Sequence, residues 1–240
     1  MKPDRRVPTA SVLAALLLAA GAGLSPARAQ EDLPTSCGQI GGGYGPFDYR
    51  TAPAHEKALV ETPHFPKIVE NLVRGNRGYL GGDLEYTLRA FPNHHRALIS
   101  VIRYGRKTGT DKPPNMTFTV ECFLKRAVFY RPNDGLVRVI YAGYLFEKNR
   151  ADEAQVHLSK AEEFAPNDPF RLHSIGSVYL EAKVYDKARI FAQRTEALGY
   201  TNSPLKNALL KAGQWTEAGA TDTAASAPPA ASAPGAGKAP

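Results

Sequence analysis

Apolar residues in the middle of the chain recur with a helical period and fall into paired segments. Over 135–148, Leu136, Val139, Ile140, Gly143, Tyr144 and Phe146 share helical spacing, and 151–164 repeats it with Ala154, Leu158 and Ala161 on one face. A third segment carries Leu172, Ile175, Gly176 and Tyr179. A fourth, 185–198, carries Ala188, Ile190, Phe191 and Ala192, with Gly199 placed to stop it. Caps fall where these segments begin: Asp134 precedes the first, and Asp168 precedes the third with Pro169 in the first helical position, where its missing N–H costs nothing. The breaks are periodic too. Pro92-Asn93, Pro132-Asn133 and Pro166-Asn167 each close one apolar helix and open another; the last two stand 34 residues apart and the first two 40, because 108–115 lengthens a loop. Paired helices at a period near 34 predict an all-α stack of helical hairpins.

The pattern weakens toward both ends. Leu124, Ala127 and Pro132 close a unit in register with Leu158, Ala161 and Pro166, and 94–104 is its first helix. An earlier, degenerate unit runs over 65–91, interrupted by Gly75, Gly78, Gly81 and Gly82, while 203–215 closes the stack as a cap helix through Leu205, Ala208, Leu209 and Leu210. The repeat domain thus covers 63–214, long enough for one real core. Before it, 30–62 is rich in Gly and Pro, with Tyr44, Phe47 and Tyr49 and no helical period. It reads as an extended arm, ordered by laying its aromatic rings on the helices. After it, 215–240 is an Ala/Pro-rich tail whose residues from 218 onward include no aromatic or branched aliphatic side chain, so it reads as disordered.

Composition changes the picture mainly at the start. Lys2, Arg5 and Arg6 form a basic opening, 12–23 is an unbroken run of apolar and small residues, and Ala27-Arg28-Ala29 is a small-x-small site. These are the three parts of a secretory signal, and the apolar run is about half the ~20 residues a membrane span needs. The expectation is a signal peptide over 1–29, a mature chain from Gln30 in the periplasm or secreted, and no membrane span after cleavage. Setting aside Lys2, Arg5, Arg6, Arg28 and Asp4 lowers the formal charge from +7 to +4. That excess is small and scattered, which argues against nucleic acid as a partner. Cys37 and Cys122 survive processing, and an oxidising compartment permits them to pair; on the sequence, pairing and two free thiols both stay open. Two thiols with no C-x-x-C exclude a structural zinc site, a thioredoxin-type motif and covalent haem, and no cofactor is implied.

The run Leu172, Ile175, Gly176, Tyr179, Tyr185, Ala188 resembles the tetratricopeptide repeat, as does Ala154, Leu158, Ala161, Pro166 before it. The likeness covers about 110 residues well and about 40 more weakly. It departs from the family at Ala142, where Gly is common, and in lacking the Trp often found early in the first helix. The blocks 45–50 and 81–95 also look like those of a group of exported bacterial repeat proteins. The resemblance implies a short right-handed solenoid whose first helices line a concave groove for a peptide of a partner protein. Carried onto matching positions, that groove is Leu136, Val139 and Phe146 in one unit, Phe170, His173, Ser177 and Leu180 in the next, and Arg96 and Arg103, with Ile99 and Arg106, in the poorer one. Basic at one end and apolar at the other, it suits an acidic-apolar segment, with charge steering the approach. The competing expectation is that the N-terminal arm fills it.

The residues with chemistry are few. Asp83, Glu85, His94 and His95 carry the alternative reading, a metal-binding or hydrolytic site. Adjacent histidines on a helix point about 100° apart and do not share an ion as an i, i+4 pair does, so the blander reading is that His94 or Asn93 caps a helix. Asp83 and Glu85 suit acid and base work only if they face one another, and carboxylates are expected in a first helical turn for dipole reasons. The glycines at 41–45 and 75–82 lack a following Gly-Lys-Ser/Thr and read as turns and flexible joints. G-x-S-x-G does not occur. The expectation is therefore a non-enzymatic scaffold or adaptor with no catalytic residue. The sequence names neither its partner protein or peptide nor an oligomeric state.

Overall fold

A computed structural model describes residues 32–201 and 203–217. The expected signal peptide and nearly all of the expected tail lie outside the described residues. Among those described, the chain is all-helical, with one 3-10 turn, Thr35–Cys37, and no strand. The helices are α1 Ala54–His64, α2 Lys67–Glu70, α3 Leu80–Ala90, α4 His95–Thr108, α5 Val120–Tyr130, α6 Gly135–Glu147, α7 Ala151–Glu163, α8 Pro169–Glu181, α9 Tyr185–Ala197 and α10 Pro204–Lys211. Side-chain oxygens cap several first turns: Thr119 takes the Cys122 N–H at 3.2 Å, Asp134 the Leu136 N–H at 3.2 Å, Asp168 the Phe170 N–H at 2.9 Å and Ser203 the Lys206 N–H at 3.2 Å.

Helix α6 forms a tight pair with α7, and α8 with α9; α6 also meets α4, α5 and α8. Each of these two hairpins turns through one left-handed residue, Asn149 at φ 60° and Lys183 at φ 59°. The two positions are 34 residues apart, and burial repeats at the same step: Ala154 with Ala188, Leu158 with Ala192 and Ala161 with Thr195 are all within 1 % of fully buried. Small residues let the paired helices approach. A Cβ at Gly176 would meet Phe191 and Leu205. One apolar core runs from Phe65 to Leu209. In α6 the buried set is Val137, Tyr141, Ala142 and Leu145 together with Val139 and Tyr144. The stripe expected from the sequence, with Leu136, Ile140, Gly143 and Phe146, lies partly outside it. The reason is that α6 is surrounded by four helices and is apolar on most of its circumference, so its stripe does not single out the core face.

The arm ends earlier than expected. Helix α1 begins at Ala54, after Pro53, and buries Val60 against Ala90 and Phe91. Its sparse apolar content hides it from a periodicity reading. The extended part, 32–53, lays Phe47 and Tyr49 on that same small cluster and donates the Phe47 N–H to the Ala90 carbonyl at 2.8 Å. Cys37 is joined to Cys122 on α5 by a disulfide, with Cα atoms 5.1 Å apart. The Arg126 guanidinium holds the Cys37 and Gln39 carbonyls at 2.7 and 2.8 Å.

Candidate interaction groove

The arm and the helices meet at the first two Pro-Asn steps. Asn93 is fully buried; its Nδ2 donates to Asp48 at 2.7 Å and Asp134 at 2.9 Å, while its Oδ1 accepts the Tyr49 N–H at 2.9 Å. Arg50 reaches the Asn133 side chain at 3.2 Å, and Arg131 binds Asp48 at 2.8 Å. Burial pushes the Asp48 carboxyl up, but the hydrogen bonds from Arg50 and Asn93 outweigh it and hold the group well below the carboxylate range. Burial likewise acts against Asp134, and His95 with Asn93 overcomes it.

The four residues of the alternative site do not converge. Asp83 is buried, binds His64 Nδ1 at 2.8 Å and accepts the Asn76 and Arg77 N–H groups at 2.6 and 3.1 Å. Glu85 accepts the Thr117 N–H at 2.5 Å on another face. His95 donates to Asp134 at 2.9 Å. His94 caps α4, its Nδ1 accepting the Ala97 N–H at 3.2 Å while its Nε2 donates to Glu61 at 2.9 Å. Glu61 also accepts from the Tyr49 hydroxyl at 2.8 Å and from Arg96 at 3.1 Å. The His94 hydrogen bond, opposed by burial and aided by Tyr49, holds Glu61 down to about 2. Among the described residues no group of three or more His, Cys, Asp and Glu side chains is placed to hold a metal ion.

A groove of about 480 Å³ runs across α4, α6 and α8. Of the eleven residues expected to line it, it brings together Ile99, Arg103, Arg106, Leu136, Val139, His173 and Ser177. The other four are drawn elsewhere. Arg96 pairs with Glu61 and Glu70, at 3.1 and 3.4 Å, and lies over Phe65. Phe146 faces an adjoining cavity of about 660 Å³ and packs 6.0 Å from Tyr179. Phe170 is 67 % exposed beside Tyr200, and Leu180 turns to the core.

Sequence reasoning missed Glu147 and Glu181, which also line the groove. The signal was present, since Glu181 lies one helical turn beyond Ser177. Arg106 is neutralised by Glu147 through a bidentate pair, its Nε bond measuring 2.8 Å. Among the described residues Arg103 and Glu181 have no ion-pair partner. The α8 side is therefore not simply apolar, as expected, but carries an acidic group opposite the arginine of α4. His173 Nδ1 is buried with no hydrogen-bond partner, and burial pushes the ring below the ordinary histidine range. The described arm, 32–53, makes its contacts with α1, α3, α5 and the Pro-Asn steps rather than with this groove.

Compared with family models, with curated proteins and with solved structures, the chain has no match in any of the three.

Proposed function

We propose that this chain is a tetratricopeptide-like repeat protein of the periplasm or the secreted space that acts as a non-enzymatic adaptor. Its groove across α4, α6 and α8 holds an extended segment of a partner protein. The observation that carries this reading is the groove itself, an apolar floor of Leu136, Val139, Ile140 and Val178 between a free arginine and a free glutamate. The 34-residue repeat of burial supports the solenoid. The buried Cys37–Cys122 pair supports an oxidising compartment. The partner segment carries apolar side chains, an acidic residue toward Arg103 and a basic one toward Glu181, so that charge sets its direction and apolar burial supplies most of the affinity.

Selection of a displayed peptide library on the mature chain tests this. Enriched peptides are expected to carry an apolar centre with opposite charges at its ends. The double variant Arg103→Glu, Ser177→Arg should weaken the enriched peptides by roughly a hundredfold while leaving the helical circular dichroism signal intact. Selection without enrichment, or enrichment indifferent to the double variant, sinks the proposal.

A further inference from the structure

The loop between α2 and α3 exposes what soluble surfaces usually hide. Tyr79 is 74 % exposed and Val73 68 %, the two most exposed large apolar side chains among the described residues. Between them stand Arg74 and Arg77, both exposed, and residues 71–82 contain no carboxylate. The next one, Asp83, is turned inward.

This loop is built rather than slack. Leu72 is buried with its backbone in the left-handed region at φ 59°, which turns Val73 outward at the end of α2. Lys107 of α4 braces the Leu72 carbonyl at 2.8 Å. Asp83 gathers the Asn76 and Arg77 N–H groups, and the Asn76 side chain donates to the Pro63 carbonyl at 2.9 Å. A side chain at Gly75 would strike the Gly78 carbonyl, so only glycine fits the turn. Several interactions thus hold two apolar side chains in water.

We propose that this tip docks on an anionic phospholipid surface, with Tyr79 and Val73 entering the headgroup layer and Arg74 and Arg77 facing lipid phosphates. Two apolar side chains on one short loop cover far less than the ~800 Å² per partner of a stable protein interface. An aromatic ring at headgroup depth beside arginine is the arrangement of an interfacial anchor.

Co-sedimentation of the mature full chain with vesicles tests it. Vesicles of phosphatidylglycerol and phosphatidylethanolamine should retain the protein at low salt, and phosphatidylcholine vesicles should not. Arg74→Ala with Arg77→Ala should weaken retention about thirtyfold. Val73→Ser with Tyr79→Ser should also weaken it; Tyr79 sits at the N-cap of α3 without a side-chain bond, so serine there supplies a cap and leaves the helix sound. Four outcomes overturn the proposal: no retention on anionic vesicles, equal retention on both kinds, retention indifferent to either double variant, or equally tight binding to immobilised polyglutamate.

Discussion

At the start of α4 a histidine stands where α6 and α8 have aspartate, and the substitution fixes its proton. Because Nδ1 of His94 accepts the Ala97 N–H, the ring proton sits on Nε2 and is donated to Glu61. Burial pushes the ring below its ordinary 6.5. The unfolded chain takes up that proton near 6.5 and the folded chain resists it, so the contribution of His94 is present above 6.5 and is lost as pH falls below it. Glu61, held at about 2 against an ordinary 4.5, contributes above 4.5 and loses it as pH falls through 2. Acid destabilisation therefore comes in two stages. His94→Asn keeps a capping oxygen but deprives Glu61 of a donor. It is expected to cost ~1–3 kcal/mol at pH 7.5, and the gap to the parent should narrow as pH falls below 6.5, read by urea unfolding; a constant gap between the two chains would clear His94 of the role. A second residue-scale expectation runs the other way. Lys183 is exposed at φ 59°, and Lys183→Gly should raise stability by ~0.5–1 kcal/mol, visible as a higher melting temperature; a lower one contradicts the strain.

Among the elements, α6 to α9 were legible because cap and period agree. Asp134, Asp168 and Pro169 mark starts, and the alanines at 154, 161 and 188 mark the close helix faces. Helix α1 was not legible, since its burial rests on Val60 alone and its surroundings are Pro-rich. That omission carried into the site. Arg96 was assigned to the groove through the resemblance to the repeat family, but its partner Glu61 belongs to α1. The loop at 75–82 read as flexible joints because glycine spacing is local information, whereas the clamp on it comes from Asp83, His64 and Pro63, brought together only by folding. For the groove, the resemblance found part of the floor, Ile99, Leu136 and Val139, and two arginines, Arg103 and Arg106. The neutralisation of Arg106 by Glu147, 41 residues away, had no local signal.

For the molecule as a whole, the arm makes stability uneven. Its disulfide closes a loop of 85 residues, worth ~4–5 kcal/mol in the chain-entropy account, and Asp48, Tyr49 and Arg50 bind the first two Pro-Asn steps. The third step meets no described arm residue; the Pro166 carbonyl takes a bond from Arg194 of α9 instead. Amide hydrogen exchange should therefore be slowest in α3 to α6 and faster in α8 to α10, and reducing the disulfide should narrow the difference. Uniform protection in the oxidised chain would show that the arm confers none of it. The groove lies across this boundary, with α4 and α6 on the fastened side and α8 on the other. If exchange follows that order, the groove is mechanically a vice with one fixed jaw and one compliant jaw. On the proposed reading a bulky guest is expected to enter by a swing of α8 and α9 together, so that the stiffness of that hairpin, rather than the side chains on the floor, sets the tolerance for guest size.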